Sequence, residues 1–190
     1  AGDTIYAATH GGLRRIGSAG GRTFDNRTTT NSGLGNNTVL GVYVTGGKIY
    51  AGTAGGGLSI SSDGGVTFDN RTTTNSGLGS DFVFGVYAAG GTIYAATNGG
   101  GLGISSDGGV TFDNRTTTNS GLGSDTVWKA YAAGDTLYAA TSGGLGISKA
   151  TVTPGTPGGA GGNGGTSGLF GRPGGGGGGN GSSGSGGSGG

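Results

Sequence analysis

The sequence contains no cysteine, methionine, glutamate or glutamine, and only three prolines, one histidine and one tryptophan among 190 residues. Each absence closes a route. Without cysteine there are no disulfide staples, no thiol nucleophile and no thiolate zinc site. Without glutamate, all side-chain carboxylate chemistry falls to nine aspartates, which ten Lys and Arg balance to a net charge of +1. So small a charge offers no basic surplus for nucleic acid or anionic lipid. No run approaches the roughly 18 consecutive apolar residues that a membrane helix needs. Leu, Ile, Val and Phe supply only 32 residues, a scarcity that would mean disorder if the net charge were high, which it is not. The first residue is Ala1 rather than Met, which points to processing and, by inference, to an extracellular or cell-surface protein whose signal peptide has been removed.

What is abundant is glycine, at 55 residues. A collagen triple helix is excluded because there is no Gly-X-Y period and too little proline. The glycines fall into two populations: 34 lie in residues 1–153 and 21 in the 37 residues from Pro154 to Gly190. We therefore divide the chain into a repeat domain, 1–153, and a Gly/Ser-rich tail, 154–190. The tail, with its six-glycine block at Gly174–Gly179, has only Leu169 and Phe170 as bulky apolar side chains. It buries too little surface to offset its ordering entropy alone. Leu169 and Phe170 are its candidate anchor on another chain or on the repeat domain.

Residues 1–153 carry a 44-residue repeat. Phe24, Phe68 and Phe112 are spaced by 44, as are Tyr43, Tyr87 and Tyr131, and Tyr6, Tyr50, Tyr94 and Tyr138. The 21 residues from Ser61 to Asp81 recur unchanged from Ser105 to Asp125. Near-identical units require near-identical surroundings, hence a symmetric or solenoidal array. Within one unit the pattern predicts four short strands, at 82–89, 92–97, 102–105 and 110–116, separated by glycine pairs and triples suited to tight turns. Helix is not expected anywhere, because the residues are β-branched, small or aromatic and show no apolar 3.6 period. Four strands per unit of this length is the signature of a propeller blade. Leu40, Phe84 and Trp128 share one place, expected on the innermost strand, with Trp128 read as an enlarged core residue between blades.

Ser61-Ser62-Asp63-Gly64-Gly65-Val66-Thr67-Phe68 and its copy Ser105 to Phe112 fit the pattern S-x-D-x-G-x-T-[FW]. The aspartate can accept backbone N–H bonds inside the hairpin while glycine takes a positive φ. This motif and the text around it resemble the Asp-box of sialidase-like β-propellers over roughly residues 1–150. The resemblance implies an all-β fold of about three and a half four-stranded blades. It also implies that Ser61, Asp63, Gly65, Thr67 and Phe68, with Ser105, Asp107, Gly109, Thr111 and Phe112, are structural turn residues away from any catalytic face. In the first unit the same place reads Gly17 to Phe24 and lacks both Ser and Asp.

Catalysis does not follow from the resemblance. A sialidase needs a glutamate and an arginine cluster, whereas Arg27, Arg71 and Arg115 are one repeat position beside Asp25, Asp69 and Asp113, and read as surface ion pairs. Other glycosidases place two carboxylates about 5–10 Å apart; Asp81 and Asp125 qualify by type but read as turn residues. His10 stands where later units carry Ala54, Asn98 and Ser142, and no nucleophilic triad, phosphate loop or metal-ligand spacing accompanies it. No cofactor or metal is expected. Asn26, Asn70 and Asn114 each open an Asn-Arg-Thr acceptor for N-glycosylation in a secreted protein.

Strand counting closes the argument. Starting from Tyr6, the repeat domain supplies strands 2, 3 and 4 of one blade, two whole blades, and strands 1, 2 and 3 of another. Such a set does not close into a ring of four to eight blades, and open edges template association. The reading is a self-assembling extracellular structural protein, a filament or other homo-oligomer, with the tail tying subunits together. The alternative is a lectin-like propeller, completed by dimerisation, that binds glycans or protein.

Overall fold

The computed structural model describes residues 4–16 and 24–149. It is all-β, with 53% strand and 9% helix. Fourteen strands form four antiparallel sheets in chain order. The first blade is β1 (Ile5–Thr9), β2 (Gly12–Ile16) and β3 (Asp25–Arg27). The second is β4 (Val39–Thr45), β5 (Lys48–Thr53), β6 (Leu58–Ser61) and β7 (Asp69–Arg71). The third is β8 (Val83–Ala89), β9 (Thr92–Thr97), β10 (Leu102–Ser105) and β11 (Asp113–Arg115). The last is β12 (Val127–Ala133), β13 (Thr136–Thr141) and β14 (Gly144–Lys149). By register, β1 to β3 are the second to fourth strands of a complete blade: Tyr6 faces Arg15 as Tyr50 faces Ile60. Correspondingly, β12 to β14 are the first to third. The expected strands are found, the fourth shortened to Asp113–Arg115.

The innermost strands β4, β8 and β12 lie side by side. Each carries a register shift, between Val39 and Gly41, Val83 and Gly85, and Val127 and Lys129. Leu40, Phe84 and Trp128 are the residues in these bulges. A bulge interrupts the in-out alternation; Leu40 and Phe84 are half-buried there, whereas Trp128, on the last blade, is 46% exposed and packs on Phe84 at 4.6 Å, so it is not the core residue expected.

The core lies between blades rather than within one. In each of three apolar clusters, one blade gives a tyrosine and a leucine from its second and third strands. The next blade gives a valine, an isoleucine or leucine, and an alanine. Tyr50, Leu58 and Ile60 thus meet Leu78, Val83, Ile93, Ala95 and Phe112. Tyr94, Leu102 and Ile104 meet Leu122, Val127, Leu137 and Ala139, while Leu13, with Tyr6 against it, meets Leu34, Val39, Ile49, Ala51 and Phe68. Burial of this kind supplies most of the driving force, about 25 cal/mol per Å² of apolar surface.

Three one-turn helices depart from the helix-free expectation: α1 (Thr29–Ser32), α2 (Thr73–Ser76) and α3 (Thr117–Ser120). Each sits in the link between blades. A single turn is too short to show a 3.6 period, but its ends are legible. Asn75 accepts the Thr72 N–H at 2.8 Å, three residues ahead of it, as in a capping box. Gly77 then closes the turn at φ 70° in the left-handed region.

Candidate functional site

Two repeated constructions, one cleft and one asymmetric surface are the places where function can reside. The first is the Ser-x-Asp-x-Gly-x-Thr-Phe turn. Asp63 Oδ1 accepts from Ser61 Oγ at 2.7 Å and from the Val66 N–H at 2.9 Å. Its Oδ2 accepts from the Thr67 N–H at 3.0 Å and Thr67 Oγ1 at 2.6 Å. Ser61 Oγ in turn accepts the Gly65 N–H at 2.9 Å. Asp107 repeats the set with Ser105, Gly109, Val110 and Thr111. Every donor here stabilises the charged form. The Thr67 hydroxyl first, then the Thr67 N–H and Ser61 hydroxyl, hold the Asp63 carboxyl well below the ordinary range. The Thr111 hydroxyl does the same, in the face of some desolvation, for Asp107. Gly65 and Gly109 take φ of 88° and 94°, and Phe68 and Phe112 are buried beneath. The hydrogen bonds of each carboxylate thus stay within its own hairpin.

The second construction latches consecutive blades. Asn70 donates through Nδ2 to the Gly33 carbonyl at 2.9 Å, and Asn114 to the Gly77 carbonyl at 2.7 Å. Asn114 Oδ1 accepts the Gly79 N–H at 2.9 Å. In the second blade a buried hydroxyl is interposed: the Gly35 N–H donates to Ser59 Oγ at 3.1 Å, which donates to Asn70 Oδ1 at 2.6 Å. Ser59 is replaced by Gly103 in the next unit, which lets the contact become direct. Both acceptor asparagines thus have their amides engaged between blades. Asn26 donates within its own blade, to the Gly11 carbonyl at 2.9 Å, and its Oδ1 is buried with no hydrogen-bond partner. Glycine also permits backbone contact at each latch: a Cβ on Gly56 would lie 2.2 Å from the Gly35 carbonyl carbon, and one on Gly100 2.2 Å from that of Gly79. These glycines serve close packing, a role beyond the turns that the sequence pattern points to.

The remaining candidates resolve as follows. Asp81 and Asp125 anchor helix starts, accepting the Thr73 and Thr117 N–H at 2.7 and 2.6 Å. Arg27 and Arg115 pair with Asp25 and Asp113 at 2.7 and 2.9 Å. His10 is exposed in the β1–β2 turn. Among the described residues no three His, Cys, Asp or Glu gather as a metal site. No helix there is long and apolar enough to cross a membrane. Leu169 and Phe170 lie outside the described residues.

Along the inner strands runs a cleft of about 370 Å³, bordered by Leu40, Tyr43, Phe84, Tyr87 and Lys129. Tyr43, Tyr87 and Tyr131 form a ladder at 5.2 and 5.0 Å. The cleft border is apolar and aromatic, with one cation and no carboxylate.

The asymmetric surface is formed by the two outer faces of the array. Tyr138, Leu145 and Ile147, on the face of the last blade, are 36%, 63% and 62% exposed. Their counterparts one blade earlier, Tyr94, Leu102 and Ile104, are 4%, 0% and 9% exposed. At the opposite end Ile5 and Phe24 are 58% and 42% exposed, against 1% and 7% for Ile49 and Phe68.

No protein-family model and no curated sequence matches the chain. Solved structures do. The extracellular domain of a hybrid two-component system from B. thetaiotaomicron aligns at TM-score 0.62 and 22% identity, over 76% of this chain and 20% of that one. An ancestral GH74 enzyme aligns at TM-score 0.60 and 19% identity, over 77% of this chain and 21% of its own. YCF48, solved bound to D1 peptide, aligns at TM-score 0.50 and 18% identity, over 72% of this chain and 44% of its own. The chain thus spans about a fifth of the first two. At these identities the likeness establishes a propeller-type fold.

Proposed function

We propose that this chain is a self-assembling extracellular structural protein, its repeat domain forming the body of a filament or other homo-oligomer and its Gly-rich tail tying subunits together. The turns at Asp63 and Asp107 are Asp-boxes in this reading and carry no chemistry; the chain is not an enzyme. The observation that carries the proposal is the exposure, among the described residues, of the two end faces, whose side chains have core counterparts in the inner blades. Exposed contiguous apolar surface marks interaction sites. The β1 edge adds to it, since β1 pairs only with β2 among the described residues, and a free strand edge favours association. Negative-stain microscopy of the purified chain is expected to show fibres or extended oligomers; discrete particles of monomer size would contradict it.

A second reading rests on the aromatic cleft. Trp128, half exposed beside Phe84 and Lys129, offers a stacking platform for a sugar ring or peptide. Quenching of the lone Trp128 fluorescence by a bound oligosaccharide would favour this lectin-like role.

A further inference from the structure

Two of the three covered blade faces are built alike. On the side that receives the next blade stand a tyrosine, a leucine and an isoleucine: Tyr50, Leu58 and Ile60, then Tyr94, Leu102 and Ile104. Against the first of these sets the following blade brings Ile93, Ala95 and Phe112. The first blade has Tyr6 and Leu13 with Arg15 in the isoleucine place, its guanidinium donating to the Gly64 carbonyl of the next blade at 3.0 Å. The last blade presents the receiving set again, as Tyr138, Leu145 and Ile147. Its register is unchanged, with Tyr138 opposite Ile147 as Tyr94 is opposite Ile104. The first blade presents the incoming set again, as Ile5, Ala7 and Phe24, each one or two repeats before a buried copy. Residues 150–190 hold no further copy of the repeat: the places 44 beyond Tyr131 and Tyr138 are Gly175 and Ser182.

We propose that the outer face of the last blade docks on the outer face of the first blade of a second copy, Tyr138, Leu145 and Ile147 against Ile5, Ala7 and Phe24, repeating the internal blade-to-blade packing. The inference rests on the self-assembly reading and specifies its geometry. The two surfaces differ, so the contact is heterologous, and it builds a filament unless the rotation happens to close. The joint lacks counterparts of Leu78 and Val83, so it is weaker than an internal joint and depends on concentration.

Sedimentation velocity of full-length variants tests this. The wild-type chain is expected to grow past the dimer as concentration rises. L145D/I147D, which disables the receiving face, and I5D/F24D, which disables the incoming face, are each expected to stay monomeric. All four positions are exposed in the single chain, and far-UV circular dichroism checks that folding is retained. Mixed one to one, the two variants keep one complementary pair of faces. They are expected to form a species of twice the monomer mass and stop there, which two misfolded chains would not do. If both variants assemble like wild type, assembly uses another surface: the docking is wrong and the self-assembly reading survives. If the wild-type chain stays monomeric throughout, both fall. If either variant alone forms a dimer, the contact is isologous and the inference is overturned. Loss of assembly in L169D/F170D alone, with the face variants unaffected, assigns the joint to the tail and overturns it as well.

Discussion

Inner and outer blades of this molecule have nearly the same sequence and opposite environments. Leu102 is fully buried between the third and last blades; Leu145, its counterpart one unit later, is 63% exposed. Both pair with the second strand of their blade in the same register, but Leu102 has β11 on its other side and the last blade packed over it, whereas β14 pairs only with β13 among the described residues. In a repeat array a side chain is core only while the next unit is present, so stability per residue should fall towards the ends. Five substitutions probe that gradient.

The largest effect is expected for Leu102→Ala, which opens a cavity in a closed joint and should cost about 2–5 kcal/mol in urea unfolding. Leu145→Ala removes the same atoms from an open face and should change the dilute chain by less than about 0.5 kcal/mol. Equal losses would erase the distinction between inner and outer faces. Next is Gly100→Ala: the added methyl meets the Gly79 backbone, and neither side is a flexible side chain that could yield, so about 1–3 kcal/mol should be lost. Smaller again is Asn114→Ala, about 1 kcal/mol for the latch bonds it removes. Asn26→Ala should cost less, because only one of its two amide groups is engaged; thermal unfolding of the pair compares them.

The smallest effect belongs to the exposed turn carboxylates. Asp63 and Asp107 are held below their ordinary range in the fold. Their contribution is therefore complete above the unfolded aspartate value of about 3.9 and is lost as pH falls below it towards the folded values. Unfolding midpoints of wild type should be flat with respect to these groups from pH 8 to 5 and decline below pH 4. D63N/D107N should show a shallower decline; an identical profile would remove these turns from the acid response.

Much of this was legible in the chain. The 44-residue interval of Tyr and Phe, with glycine clusters between short β-branched runs, specifies the strands, their phase and the count of fourteen. The Ser-x-Asp-x-Gly-x-Thr-Phe text likewise specifies its turn, because all its partners lie within a few residues. Less legible were features set by contacts between units. The helices at Thr73 and its copies are one turn long, with no periodicity to detect. Trp128 is exposed where the half-buried Leu40 and Phe84 share its place, because it lies on the last blade, a position the repeat pattern alone does not weigh. Nothing in the Asn-Arg-Thr tract announces that the amides of Asn70 and Asn114 reach carbonyls 37 residues away. The uncovered ends were foreseeable from strand counting, but which side chains they bare required knowing which face each blade gives its neighbour.

Hydrogen–deuterium exchange of the full chain at increasing concentration tests the central claim most directly, by comparing peptides over β13 and β14 with those over β9 and β10. The account predicts that the β13–β14 amides exchange faster in dilute solution and gain protection as concentration rises, while β9–β10 stays constant. Protection of β13–β14 that is independent of concentration would contradict it.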